Sequence, residues 1–128
     1  MDYIFSKPYH LTFSYHLDYL EAEVVGFEDS LEVSCSYWQE IAAEVRRGGF
    51  DKVLVVERIV GNVDPADAFE IARRNAATDF RGAKIAFVDA YKDHRDINRL
   101  CETVSNNRGR NIRCCESVLA AAKWLRSH

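Results

Sequence analysis

Lys52 to Asp67, KVLVVERIVGNVDPAD, limits the fold more than any other stretch of the chain. It begins with an unbroken run of branched apolar residues, Val53, Leu54, Val55 and Val56. A run that short, with no polar alternation, suits a strand buried on both faces. Glu57 and Arg58 turn it polar, and Gly61-Asn62 loosens it. Asp64-Pro65-Ala66-Asp67 then carries the marks of a helix start: an N-cap, proline at the first helical position, and an acid three residues after the cap. A buried strand feeding a capped helix is half of a βαβ unit.

The rest of the chain supplies the other elements. Tyr9, Leu11, Phe13 and Tyr15 alternate with His10, Thr12, Ser14 and His16, the period of a half-buried strand. Leu17-Asp18 is a turn, and Tyr19 to Phe27 is predicted as a second strand, pairing with the first as an antiparallel hairpin. Asp29 and Glu32 have capping-box spacing. Leu31, Cys35, Trp38, Ile41, Ala42 and Val45 then recur at three- and four-residue steps, an amphipathic helix stopped by Gly48-Gly49. Phe69, Ala72 and Ala76 give the helix after Asp64 a buried stripe. Ile85 to Val88 is a second short apolar run, ending at Asp89. Ile97, Leu100, Cys101 and Val104 mark a third helix, with Asp93 as its expected cap. Asn111 to Cys115 is a last strand. Ser117 caps a final helix with the stripe Val118, Ala121, Ala122 and Leu125. The order β-β-α-β-α-β-α-β-α implies an α/β fold, a mixed and mostly parallel sheet with an antiparallel edge strand from the N-terminal hairpin.

Size and charge narrow the class. At 128 residues the chain is expected to form a single domain spanning 1–128. Apolar content of 48% and charged content of 29% are ordinary for a globular protein. A net charge of −3 argues against a general nucleic-acid or anionic-membrane binder. No apolar run approaches the roughly 20 residues of a membrane span, and MDYIFSKPYH has neither a basic leader nor an apolar core of a signal peptide. The cysteines, Cys35, Cys101, Cys114 and Cys115, form no CxxC and no zinc spacing. Free thiols and a cytoplasmic location are the expectation.

The element order and a few landmarks resemble the STAS domain, named for sulfate transporters and anti-sigma-factor antagonists, and in particular its divergent stand-alone branch. The landmarks are Trp38 in the first long helix, the strand-loop-Asp64 start of the second, Gly82-Ala83-Lys84-Ile85-Ala86 entering the fourth strand, and Arg108-Gly109 before the fifth. The resemblance covers Tyr9 to Leu125. It implies a non-enzymatic regulatory module that acts by binding a partner protein. Bacterial members switch through a serine or threonine phosphorylated just after an Asp that resembles Asp64. Pro65 and Ala66 follow it here, and neither accepts phosphate, so the switch is expected to be absent.

Candidate site residues follow from fold logic, since ligands of open α/β sheets sit beyond the carboxyl ends of the parallel strands. Glu57, Arg58 and Asp89 stand at those ends, and Asn62, Asp64, Asp67 and Glu70 lie on the loop and helix beside them. For any single residue the pattern favours the plainer reading, solvation of Glu57 and Arg58 and a capping role for Asp64 worth about 1 kcal/mol. His10 and His16 are about 20 Å apart along a strand and share no metal. Tyr37, Trp38 and Phe50 belong to the core or its rim. Arg95, Arg99, Arg108, Arg110 and Arg113 would form a basic patch only if they cluster, and the interspersed Asp93, Asp96, Glu102 and Glu116 favour a mixed solvated surface. No nucleophile–base pair, paired carboxylates, metal set or phosphate-binding loop is present in the pattern, so no catalytic residue, metal or cofactor is assigned. The first expectation is a protein-binding module that could also self-associate through its hairpin edge. The alternative is a protein that binds a small or lipid-like molecule between the second helix and the sheet.

Overall fold

The computed structural model describes residues 8–127. One five-stranded sheet runs in the order β1 (Tyr9–Tyr15), β2 (Leu20–Gly26), β3 (Lys52–Ile59), β4 (Lys84–Asp89), β5 (Asn111–Cys115). The helices are α1 (Leu31–Gly48), α2 (Pro65–Ala77), α3 (Arg95–Asn107) and α4 (Val118–Arg126). β1 pairs antiparallel with β2, and all other neighbours are parallel. The two apolar runs are adjacent and co-directional, with Val53 opposite Ile85 and Val56 opposite Val88.

Strands laid down in sequential order with right-handed crossovers place every crossover helix on the same face. α1, α2 and α3 form that layer, and their core takes Val53 and Val55 from β3 and Ile85 and Phe87 from β4. α4 has no following strand to reach and folds onto the other face. There Ala121, Ala122 and Leu125 meet Leu54, Val56, Ala86 and Val88. This division explains why the middle of β3, Val53–Val56, and of β4, Ile85–Val88, is apolar at every position while β1 and β2 alternate. α4 packs over β3, β4 and β5, so Glu21 and Glu23 of β2 remain half-exposed. The outer side of β1 pairs with no described strand, the edge expected to invite self-pairing.

Local signals act largely as their chemistry requires. Asp64 accepts a hydrogen bond from the Asp67 backbone N–H at 2.8 Å and Pro65 opens α2. Gly49 ends α1 in the left-handed conformation at φ 68°, its N–H on the Val45 carbonyl. Three details differ from expectation. The α1 cap is Ser30, whose Oγ accepts from Val33 N–H at 3.0 Å, while Asp29 sits one residue earlier and binds Ser30 N–H and Ser34 Oγ. α2 buries Ala68, Ile71, Ala72 and Asn75, and Phe69 points outward beneath the Arg108 guanidinium. α2 is wedged between α1 and α3, close enough for the Cys101 thiol to reach the Ala68 carbonyl at 3.5 Å, an approach that Ala68 and Ala72 permit. Asp93 does not cap α3. It lies in a short 3₁₀ turn, Lys92–His94, and α3 starts with no side-chain cap.

The carboxyl end of α2 has no glycine. Arg110, from the loop before β5, closes it instead: one guanidinium nitrogen donates to the carbonyls of Asn75, Ala76 and Thr78. Its plane lies over the Phe80 ring, 4.6 Å from the centroid. A cation on orphan carbonyls at a helix C-terminus is favourable both as hydrogen bonding and against the helix dipole. Arg110→Ala is expected to cost about 2 kcal/mol, read as a lower urea midpoint with unchanged slope. A loss under about 0.5 kcal/mol would show that solvent replaces the guanidinium.

Candidate functional site

The expected site residues separate into an inner pair and an outer rim. Glu57 follows the apolar run of β3, two residues before the strand ends at Ile59, and is 5% exposed. Asp89 closes β4 directly opposite. Both side chains lie on the helix-covered side of the sheet, where α1 overhangs them with Tyr37, 1% exposed. The Tyr37 hydroxyl donates to Glu57 Oε2. Asp89 accepts from the Tyr91 backbone N–H at 2.9 Å and from Asn98 Nδ2 at 3.0 Å, and its Oδ2 meets His94 Nδ1 at 2.9 Å. His94 Nε2 faces the Val60 carbonyl at 3.1 Å. A carbonyl only accepts, so Nε2 carries hydrogen, and Nδ1 is turned to the Asp89 carboxylate.

The electrostatics follow from burial. Loss of water pushes the Glu57 carboxyl well above the usual carboxylate range, and the nearby Asp29 and Asp89 charges push it further. Burial also raises Asp29, more than its bonds to Ser34 and Ser30 lower it. The Tyr37 phenol is raised by burial and then by Glu57, so it stays a donor. Glu57 is thus the protonated member, and Asp89, with its set of donors, the acceptor. One ligand atom each from Glu57, Asp89 and His94 lies within 4.8 Å of the others, a spacing that a divalent cation would bridge. Those same atoms are already satisfied by hydrogen bonds, and Glu57 would have to surrender its proton to ligate. The arrangement closes on itself as a hydrogen-bonded lock that ties β3, β4, α1 and the start of α3 together.

The outer residues stay in solvent. Asn62 and Asp64 are exposed and Asp67 is half-buried. Arg58 pairs with Glu23 at 3.0 Å on the sheet's far face. Glu70 is held by Arg73 and by Arg74, the latter at 3.1 Å. Seven candidates therefore do not make one site: Glu57 and Asp89 join the buried lock, Asn62, Asp64 and Asp67 form a rim, and Arg58 and Glu70 are committed to ion pairs. Tyr37, which the sequence places in the core or its rim, and His94, which it places at the polar start of a helix, belong to the lock with Asn98, and the sequence pattern puts none of the three at a site. An aromatic in a helix stripe and a histidine after Lys-Asp give no sign that both reach toward acids at strand ends.

Nothing in the lock resembles a nucleophile–base pair. The thiols are poor candidates as well: burial raises all of them, Cys101 to about 12, and Cys114 further, with Glu102 adding to the shift. The space between α2, its neighbouring helices and the sheet amounts to about 50 Å³, room for a few waters. A lipid chain there would require the helices to part. No helix among the described residues is long and apolar enough to cross a membrane.

No family model matches the chain, and no curated protein matches it in sequence. A solved structure does share its fold: the NMR structure of the protein TM1081 superposes with a TM-score of 0.53 at 15% identity, covering 100% of this chain and 98% of that one. At that identity the likeness is one of fold alone.

Proposed function

We propose that this chain is a non-enzymatic recognition module of STAS-like type, which meets a protein partner with the rim formed by Phe27 and Val60 to Asp67. The observation that carries the reading is apolar exposure at that rim. Phe27 is 83% exposed and Val60 50% exposed, and the Gly61 N–H bonds the Phe27 carbonyl at 2.7 Å, which sets the two loops side by side. Gly61 permits this approach, since a Cβ there would stand 3.1 Å from that carbonyl oxygen. Asn62, Asp64 and Asp67 add a polar and acidic border. Apolar anchors inside a polar border are the usual anatomy of a protein interface. The acid–base groups nearby are tied to one another in the lock, which favours recognition over chemistry. Pro65 and Ala66 offer no hydroxyl at the position where STAS regulators carry phosphate, so partner binding would be constitutive or governed by the partner.

A comparative pull-down from the native lysate tests this. Phe27→Ser combined with Asn62→Ala and Asp67→Ala alters only solvent-facing or half-buried side chains. It is expected to lose at least one protein that the unaltered chain retains. Identical captured sets would overturn the assignment of this surface.

A further inference from the structure

A cavity of about 580 Å³ opens beyond the carboxyl ends of β4 and β5, between α3 and the start of α4. Its floor is Phe87 and Cys114, and its walls carry Lys92, Arg95, Arg99 and Arg113. Acids line it too, but they are engaged elsewhere. Asp89 is bound within the lock, Glu102 accepts from the Cys114 backbone N–H, and Glu116 faces Arg95 at 3.4 Å. The cations are less committed. Among the described residues Lys92, Arg99 and Arg113 have no acidic partner, and Arg113 only approaches the Trp124 ring, at 5.9 Å from its centroid. Ser117, the N-cap of α4, stands at the mouth and directs the positive end of that helix toward it.

We propose that this cavity binds a small anion-bearing molecule, with Lys92 and Arg99 as the principal contacts for a phosphoryl or carboxylate group. Guanidinium groups match such oxygens in pairs. Concave sites of this size, at the carboxyl ends of parallel strands, are where α/β folds hold small ligands. Lys92, in the 3₁₀ turn before α3, and Arg99, two helical turns further on, both line the cavity and would hold one anionic group from the α3 side, while Phe87 and Cys114 leave an apolar surface for the remainder of the molecule. The inference does not depend on the protein-partner reading, because it uses neither the Gly61–Asp67 loop nor Phe27.

Calorimetric titration with inorganic pyrophosphate and, separately, with citrate tests it. The expected result is saturable binding of at least one probe, weakened as sodium chloride is raised and weakened roughly tenfold or more in Lys92→Gln/Arg99→Gln. Both side chains are exposed, and an unchanged melting temperature without probe checks that the variant folds. Binding of pyrophosphate alone would assign a phosphoryl group, and of citrate alone a carboxylate group. No saturable binding of either probe would overturn the proposal. So would binding unaffected in the double variant, or lost equally in Arg73→Gln on the outside of α2.

Discussion

Glu57→Gln is expected to be as stable as the unaltered protein near pH 5 and more stable by over about 1 kcal/mol at pH 8. In the folded chain burial holds the Glu57 carboxyl well above 4.5, whereas in the unfolded chain it titrates near that value. Between the two values the native state binds a proton that the unfolded state does not. Folding then takes up a proton, and the stability from this group is full below about pH 4.5 and declines as pH rises, by up to about 1.4 kcal/mol per pH unit until the folded value is reached. Glutamine reproduces the protonated acid: its carbonyl accepts from Tyr37, and its amide donates toward Asp89 without ever losing a proton. The slope contributed by position 57 should vanish, leaving the smaller share of Asp29, which burial raises in the same direction. Glu57→Ala should instead cost about 2–4 kcal/mol at pH 5, because it empties a buried site and orphans the Tyr37 hydroxyl, and less at pH 8, because it removes the same titrating group. Urea titrations at pH 5 and pH 8, followed by Trp38 fluorescence, separate these outcomes. A glutamine variant that loses more than about 2 kcal/mol at both values would mean that position 57 carries a charge in the folded protein.

The sheet was readable because its signals are local. Val53–Val56 and Ile85–Val88 lack polar alternation, and a strand covered on both faces demands that. Asp64-Pro65 and Gly48-Gly49 mark helix ends through backbone chemistry that acts within four residues. The lock was not readable because its cause is overhang. An acid at the end of a strand is solvated unless a helix crosses above it, and the reach of Tyr37 over Glu57, 20 residues away in sequence, is set by how α1 lies on the sheet. His94 presents the same difficulty. In Lys92-Asp93-His94-Arg95 every neighbour is charged, so the pattern signals a solvated helix start. Its burial comes from Asp89 and from Val60, 34 residues away. Phe69 shows the converse failure: the most apolar residue of its helix is turned out because alanines permit a closer approach between α2 and α3. Arg110 read as one of several surface cations. The feature that distinguishes it, an α2 terminus without glycine, lies more than 30 residues upstream.

His94→Ala is expected to destabilise the protein by about 2–4 kcal/mol, lowering the melting temperature by roughly 10 °C. The ring is 2% exposed, and its two nitrogens bridge Asp89 at 2.9 Å and the Val60 carbonyl at 3.1 Å. Alanine removes both contacts, leaves a void beside Tyr91, whose ring centroid lies 5.6 Å from that of His94, and strips a buried carboxylate of one donor while Tyr91 N–H and Asn98 continue to hold it. His94→Gln should recover part of the loss, since one amide can donate to Val60 or to Asp89 but cannot span both. The effect should also reach the rim. Val60 precedes Gly61, whose N–H holds the Phe27 loop at 2.7 Å, so freeing the Val60 carbonyl loosens the surface that carries Phe27. Amide exchange at Gly61 should accelerate by more than the global destabilisation predicts. Exchange that rises only in step with global stability would show the lock and the rim to be independent. A cost below about 1 kcal/mol would show that the histidine does not bridge the strand ends.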